Sequence, residues 1–439
     1  MNKKIKITIV VVLFILLILF LICNKILTKK EIENNVEIQT DLLFQEINKS
    51  RTANIDSFII SGTPFNLEGS IEIPKISNIS IYSVHVIAKN TEKKEISLDC
   101  TYTYKDNILS FSTIDKINSG LSLEELKESN YYLFLKVIFS NSEEKYFSLE
   151  NISKYPNTTY YTIRNRNKID IVYNTYNKLP FIGLFVSKID TLPNNVYDIA
   201  IDASHGGKDT GAKYKNYNEA EIVLNYANSI KQKLEALGYK VYLSRNGSES
   251  PEANLSDVYA ENGRINTIQE SHSKLLLSLN INDTYSKTGG FEIYAPTKCD
   301  LSFSQKMADA VVKTAKTSYS SVKLFKKEKG VYVRNFTEFD ILSFKNSAKI
   351  NKYEPYNITK LTPYQYMIRE VGGIATGAFV DGRNPSYGKN KYYDSNIGIE
   401  AYLLELGYMK NEKDLNNIIK NKDRYVQAIV NTINEFYGK

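Results

Sequence analysis

From Tyr197 to the C-terminus, short apolar runs alternate with amphipathic stretches, and few folds other than a mainly parallel sheet wrapped by helices accommodate that order. The segment 198–203 is apolar around Ile199-Ala-Ile201, as a strand buried on both faces must be. In 219–237, Ile222, Tyr226, Ile230, Leu234 and Leu237 recur at intervals of three or four, which predicts a helix with one apolar face. Gly238 stands where such a helix ends. Strands at 240–245, 274–279, 290–295 and 401–405 follow, with helices near 257–271 and 303–318 and one or two closing helices. The expected fold of 197–439 is α/β, a mainly parallel sheet with helices on both faces.

Before Tyr197 the texture differs. Residues 7–23 are apolar apart from Thr8 and, extended back through Ile5, approach the roughly 20 residues a spanning helix needs. Lys3, Lys4 and Lys6 precede the run, and Lys25, Lys29 and Lys30 follow it, so charge alone does not orient it. Small residues near its end, needed for cleavage, are missing, and Ile22 before Cys23 does not suit a lipoprotein. The expectation is an uncleaved N-terminal transmembrane anchor at 5–23, with a single-pass chain whose bulk lies outside the cell membrane. A polar juxtamembrane spacer at 24–57 leads to an all-β, sandwich-like domain at 58–190, where alternating runs are separated by Asn, Ser, Gly and Lys clusters. His85 in that domain is expected to be an ordinary strand residue. Cys23, Cys100 and Cys299 fall in different predicted regions, so neither a disulfide framework nor a cysteine-based zinc site is favoured. A net charge of +7 without a nucleic-acid motif argues against nucleic acid and is compatible with anionic wall polymers or lipid headgroups.

The chemistry-bearing residues sit where the strands of the C-terminal half end. His205, one of three histidines in the chain, follows the strand at 198–203 and precedes Gly206-Gly207, at the end of the sheet where open α/β folds bind ligands. Asn218-Glu-Ala-Glu-Ile-Val-Leu224 opens the next helix. Glu219 there is, by itself, an acid of the kind favoured in a helix's first turn. Leu403-Leu-Glu-Leu-Gly-Tyr-Met-Lys-Asn411 places Glu405 at a strand end, where by itself it reads as a buried partner of Arg264 or Arg245.

Over about 198–437 these motifs resemble the zinc-dependent, sheet-based N-acetylmuramoyl-L-alanine amidases, which cut the bond between glycan and stem peptide in peptidoglycan. The resemblance implies Zn2+ held by His205 and Glu219, with Glu405 as the catalytic base. Its third ligand, a histidine in a Ser-Ile-His-Ala-Asn strand, corresponds to Asn280 in Ser278-Leu-Asn-Ile-Asn282, a register supported by Arg264 fourteen residues upstream. His272 precedes that strand and is badly placed to substitute. An amide oxygen is a weaker zinc donor than imidazole. Between Tyr294 and Glu405 an insertion around 345–395 carries Tyr364, Tyr366 and Arg383, expected to line a substrate groove, and Glu370, a candidate inhibitory ligand. Two readings remain open: a membrane-anchored amidase acting on peptidoglycan, alone or with a divisome or sporulation partner protein, and a catalytically inactive pseudo-amidase that binds peptidoglycan or scaffolds and regulates another wall protein. A hydrolase built on Ser204 or Cys299 lacks a second histidine placed to act as its base.

Overall fold

The computed structural model describes residues 39–438 apart from 61–63, 76, 93, 114–119, 153–156, 254, 256–262, 265–266, 269–270, 272, 284–287, 297–300, 352–359 and 361–399. The expected anchor at 5–23, Arg383, Tyr364, Tyr366, Glu370, His272, Cys299 and most of the helix near 257–271 lie outside the described residues. Among the described residues no helix is long and apolar enough to cross a membrane.

Twelve strands, β1 (Ile47–Ile60) through β12 (Leu179–Lys188), form one hydrogen-bonded network in the N-terminal half. Among the described residues strand structure thus begins at Ile47, inside the stretch expected to be spacer. Alternate side chains such as Val84, Val86, Leu133, Leu135, Ile169 and Ile171 point into a shared core, which is why the period-two pattern was legible there. His85 lies on β3 (Ile81–Asn90), in register with Asp99 on the neighbouring strand.

The C-terminal half is built on a seven-stranded sheet. Its strands are β13 (Ile199–Ala203), β16 (Val241–Leu243), β17 (Leu275–Asn282), β18 (Glu292–Tyr294), β19 (Lys326–Glu328), β20 (Val331–Tyr332) and β21 (Glu400–Tyr408), while β14 (Lys213–Tyr214) and β15 (Tyr217–Asn218) form a separate hairpin. The spatial order is β16-β13-β17-β21-β18-β20-β19. The first four strands are parallel, as expected, but β18 runs antiparallel to β21 and β19 antiparallel to β20, so the sheet is mixed.

Ile199, Ile201, Leu275, Leu277, Leu279, Tyr402 and Leu404 share a core with helices α1 (Glu219–Ala236), α2 (Ser302–Ala315), α4 (Glu412–Lys420) and α5 (Lys422–Tyr437), while α3 (Glu338–Asn351) follows β20 in the chain. The register puts Asp202, Ser278 and Leu403 side by side, one residue out of phase with that apolar set. They therefore point to the other face, which is where the sheet turns polar.

The two halves meet at the N-terminal ends of the central strands. Asp198, Lys274 and Glu400 stand at the starts of β13, β17 and β21, opposite the ends that carry His205, Asn280 and Glu405. Arg166 of the β unit pairs with buried Asp198 (Nη1–Oδ1 2.8 Å), Lys274 Nζ lies 4.1 Å from the Tyr160 ring centroid, and Ile163 packs into the α/β core. One base is thus shared by both units.

Candidate active site

Beyond β13 the backbone turns abruptly. His205 itself adopts φ 62°, followed by Gly206 at 107° and Gly207 at 59°. A left-handed conformation at a non-glycine residue is costly and needs surrounding structure to hold it. Arg245 supplies part of that structure by donating to the carbonyls of Ala203 (2.7 Å), Ser204 (3.0 Å) and Ala220, which ties the turn to the start of α1.

The imidazole is gripped from both sides. Nδ1 lies 2.9 Å from Asp209 Oδ2, and Nε2 lies 3.1 Å from Glu219 Oε2. Burial pulls the imidazole's proton affinity down, but the hydrogen bonds to Asp209 and Glu219 outweigh it and push His205 up to about 9. Glu219 is 3% exposed and anchored by two backbone amides, Ile281 N–H to Oε1 at 2.7 Å and Ala212 N–H to Oε2 at 2.9 Å. It is more than a first-turn acid, because α1 delivers it to the ends of β17 and of the His205 loop at once.

Gly211 closes over this pair. Its φ is 63°, and a Cβ there would fall 2.6 Å from His205 Cδ2 and 2.7 Å from Glu219 Oε2. Gly211→Ala is expected to cost about 1–2 kcal/mol for the left-handed backbone alone, and more from the clash. Denaturant unfolding of the variant against the parent chain measures the loss.

Glu405 and Asn280 are register partners on β21 and β17, and Glu405 also faces Glu292 on β18. Glu405 is half-buried, yet its Oε2 is enclosed and has no hydrogen-bond partner among the described residues. Burial, then Glu219 and Glu292, push its carboxyl well above the usual range, and His205 opposes them. The ion pairs weighed for Glu405 go elsewhere: Arg264 Nε binds Asp202 Oδ1 at 2.6 Å, and Arg245 serves the three carbonyls. His205, Glu219, Asn280 and Glu405 therefore gather at one end of the sheet.

Two contributors escaped the sequence reading. Asp209, four residues after His205, donates no obvious motif, although an acid at that spacing in a glycine-rich loop is a usable signal. Glu292 is 1% exposed and accepts from the hydroxyls of Ser320 (2.6 Å), Tyr294 (2.9 Å) and Tyr408. Its partners are scattered over more than a hundred residues, and nothing local announces them.

As for a metal, Asp209 holds Nδ1 and leaves Nε2 as the ring atom turned to Glu219, the arrangement that metal-binding histidines use. His205 and Glu219 are two donors of the types a divalent cation takes, and the orphaned Glu405 Oε2 stands near them without completing a set. Among the described residues no group of three or more His, Cys, Asp or Glu side chains is set to hold one, so a third protein donor of those types is lacking.

A strand-end histidine, a helix-start glutamate and a second strand-end glutamate thus share one end of the sheet. The N-acetylmuramoyl-L-alanine amidase family model matches residues 199–435, and the chain belongs to that family. It is 26% identical over 254 residues to the N-acetylmuramoyl-L-alanine amidase LytC of Bacillus subtilis strain 168, a match covering 57% of this chain and 44% of that protein's length. Among solved structures, an N-acetylmuramoyl-L-alanine amidase of Clostridium difficile 630 is similar at 19% identity and TM-score 0.34, over 55% of this chain and 97% of that one. The CwlD amidase of Clostridioides difficile, solved in complex with the GerS lipoprotein, is similar at 17% identity and TM-score 0.32, over 55% of this chain and 98% of that one.

Proposed function

We propose that the chain hydrolyses the amide bond between N-acetylmuramic acid and L-alanine of the peptidoglycan stem peptide. The observation that carries this reading is the enclosed, unpartnered Glu405 Oε2 beside the His205–Glu219 pair, in a chain of the amidase family. His205 and Glu219 would hold Zn2+ or a related divalent cation, which when bound supplies Lewis-acid activation of water and of the scissile carbonyl. Glu405 takes a proton from the attacking water and returns it to the leaving amine nitrogen, a task that needs a carboxylate free of competing donors. Asp209 keeps the imidazole tautomer fixed, and the two backbone amides on Glu219 keep its carboxylate from swinging.

Residues 5–23 would hold the chain on the outer face of the cell membrane, with the β unit spacing the site from the lipid. Arg383 of the insertion would contact the glycan or peptide, and a division or sporulation protein would be a fitting partner. Asn280, in the place of an imidazole, favours a second reading in which the same fold binds peptidoglycan without cutting it.

The test incubates the full chain in detergent with purified peptidoglycan, with added Zn2+ or Mn2+ and with chelator. Mass spectrometry would show free stem peptides beginning with alanine, and their loss with chelator. Retention on peptidoglycan without release under either metal would overturn the hydrolase reading in favour of the second.

A further inference from the structure

The orientation of the Asn280 carboxamide follows from the hydrogen-bond chain beneath it. Asp202 is fully buried. Burial pushes its carboxyl up, but the charge and hydrogen bond of Arg264 and the hydroxyls of Ser278 and Ser244 outweigh this and hold it below the usual range. Being ionised, Asp202 can only accept. The single Ser278 hydroxyl proton is therefore committed to Asp202 Oδ2, at 2.7 Å. Ser278 Oγ then has only lone pairs left for Asn280, so the Asn280 atom 3.1 Å away must be the NH2 group. The carboxamide is thereby locked with Oδ1 on the side away from Ser278.

That lock bears on what the strand end offers. Glu219 Oε1 is tied to the amide of Ile281, the residue next to Asn280, and Asn280 and Glu405 are register partners. Around the His205–Glu219 pair the protein thus presents one imidazole nitrogen, one anchored carboxylate, one fixed amide oxygen and the orphaned Glu405 Oε2. Oxygen donors predominate in this set, and oxygen-rich sets suit the harder divalent cations.

We propose that Asn280 Oδ1 is the third protein donor of this site, and that the donor set shifts it from zinc toward a harder divalent cation of the Mn2+ class. The inference rests on the reading that His205 and Glu219 hold a metal. Zinc favours imidazole and thiolate in a tetrahedron, whereas carbonyl and carboxylate oxygens suit the higher coordination of harder ions. Zinc still outranks manganese in raw affinity for a mixed nitrogen and oxygen site, so the measurable consequence is a narrowed zinc-to-manganese ratio.

The test is a competitive titration of chelator-stripped full chain in detergent with Zn2+ and with Mn2+. Asn280→His is expected to raise zinc affinity on the order of 100-fold while moving manganese by less than about tenfold. Asn280→Asp, which keeps an oxygen donor and adds charge, is expected to strengthen Mn2+ binding. Ser278→Ala, which frees the amide to turn, is expected to weaken Mn2+ binding about tenfold, the scale of a lost supporting hydrogen bond. Wild-type Mn2+ affinity in Asn280→Ala, or an unchanged metal ratio in Asn280→His, would overturn the proposal with the metal site intact. Undiminished binding in His205→Ala would instead bring down the underlying metal-site reading, and the two failures are thereby told apart.

Discussion

Glu405→Gln is expected to lower the rate of stem-peptide release about 100- to 10,000-fold, the range a positioned general base supplies, with peptidoglycan binding left nearly unchanged. The substitution keeps the shape of the side chain and removes its ability to take a proton. Its neighbours show why no other group stands ready to substitute. Glu292, the nearest carboxylate in register, is occupied by three hydroxyls, and Asp209 is committed to His205 Nδ1. Among the carboxylates of the described residues, Glu405 alone has an enclosed oxygen without a partner. Burial is the first cause of its raised proton affinity and Glu219 the second, and a cation held by Glu219 would cancel the second and bring Glu405 toward the range where it works as a base. Because burial makes the charged form expensive, the neutral glutamine is expected to leave stability unchanged or slightly raised. The check is product release per unit time by mass spectrometry, beside a pull-down on purified peptidoglycan. Unimpaired release by the variant would move the base to another residue, and lost pull-down would mean the carboxylate binds substrate instead.

The α/β half was legible because its signals are local. Five or more residues of strand, as in β13, β17 and β21, leave a visible apolar run, and α1 spans enough turns for its apolar face to repeat. The two- and three-residue strands β14, β15, β19 and β20 carry no period and were missed; the reversal of β18 left no trace either, since direction is set by pairing and not by composition. At the site, His205 stood out through its glycines and Glu219 through its helix start. Asn280 stands out only against the histidine of the family's Ser-Ile-His-Ala-Asn strand, because an asparagine at a strand end carries no signal alone. The Asp202–Ser278–Asn280 chain and the Glu292 cluster join residues far apart in sequence, and no periodicity reports such pairings. The junction between the halves was equally hidden: Glu124, Tyr160, Arg166, Asp198 and Lys274 meet only once both units are folded.

Lys274→Met at that junction is expected to stabilise the protein by about 1–4 kcal/mol below neutral pH, because each unit by which burial lowers the ammonium is about 1.4 kcal/mol borne by the folded protonated state, less the compensation its acidic neighbours lose. Lys274 is 2% exposed, and burial pulls its ammonium from the ordinary 10.5 down to about 7, against the opposing pull of Glu124 and Asp198. The sign follows from proton binding. The unfolded chain keeps this proton up to 10.5 and the folded chain releases it near 7, so between those values the unfolded state binds more protons and stability rises with pH. Below 7 both states are protonated and the folded one carries the full desolvation cost. Methionine removes that cost, so its advantage is greatest at pH 6 and shrinks as pH climbs toward 10. Two losses limit the gain: the contact of Nζ with the Tyr160 ring at 4.1 Å, and the partial compensation Lys274 gives Glu124. Glu124 remains held by the amides of Ile163 (2.6 Å) and Arg164 (3.1 Å), which keeps it from being stranded. Chemical unfolding midpoints of parent and variant at pH 6 and pH 9.5 provide the measurement. A variant less stable at pH 6, or a difference that does not change with pH, would mean that Lys274 is stabilised as a charged partner of Glu124 and Asp198, with the junction held by ion pairing in place of apolar burial.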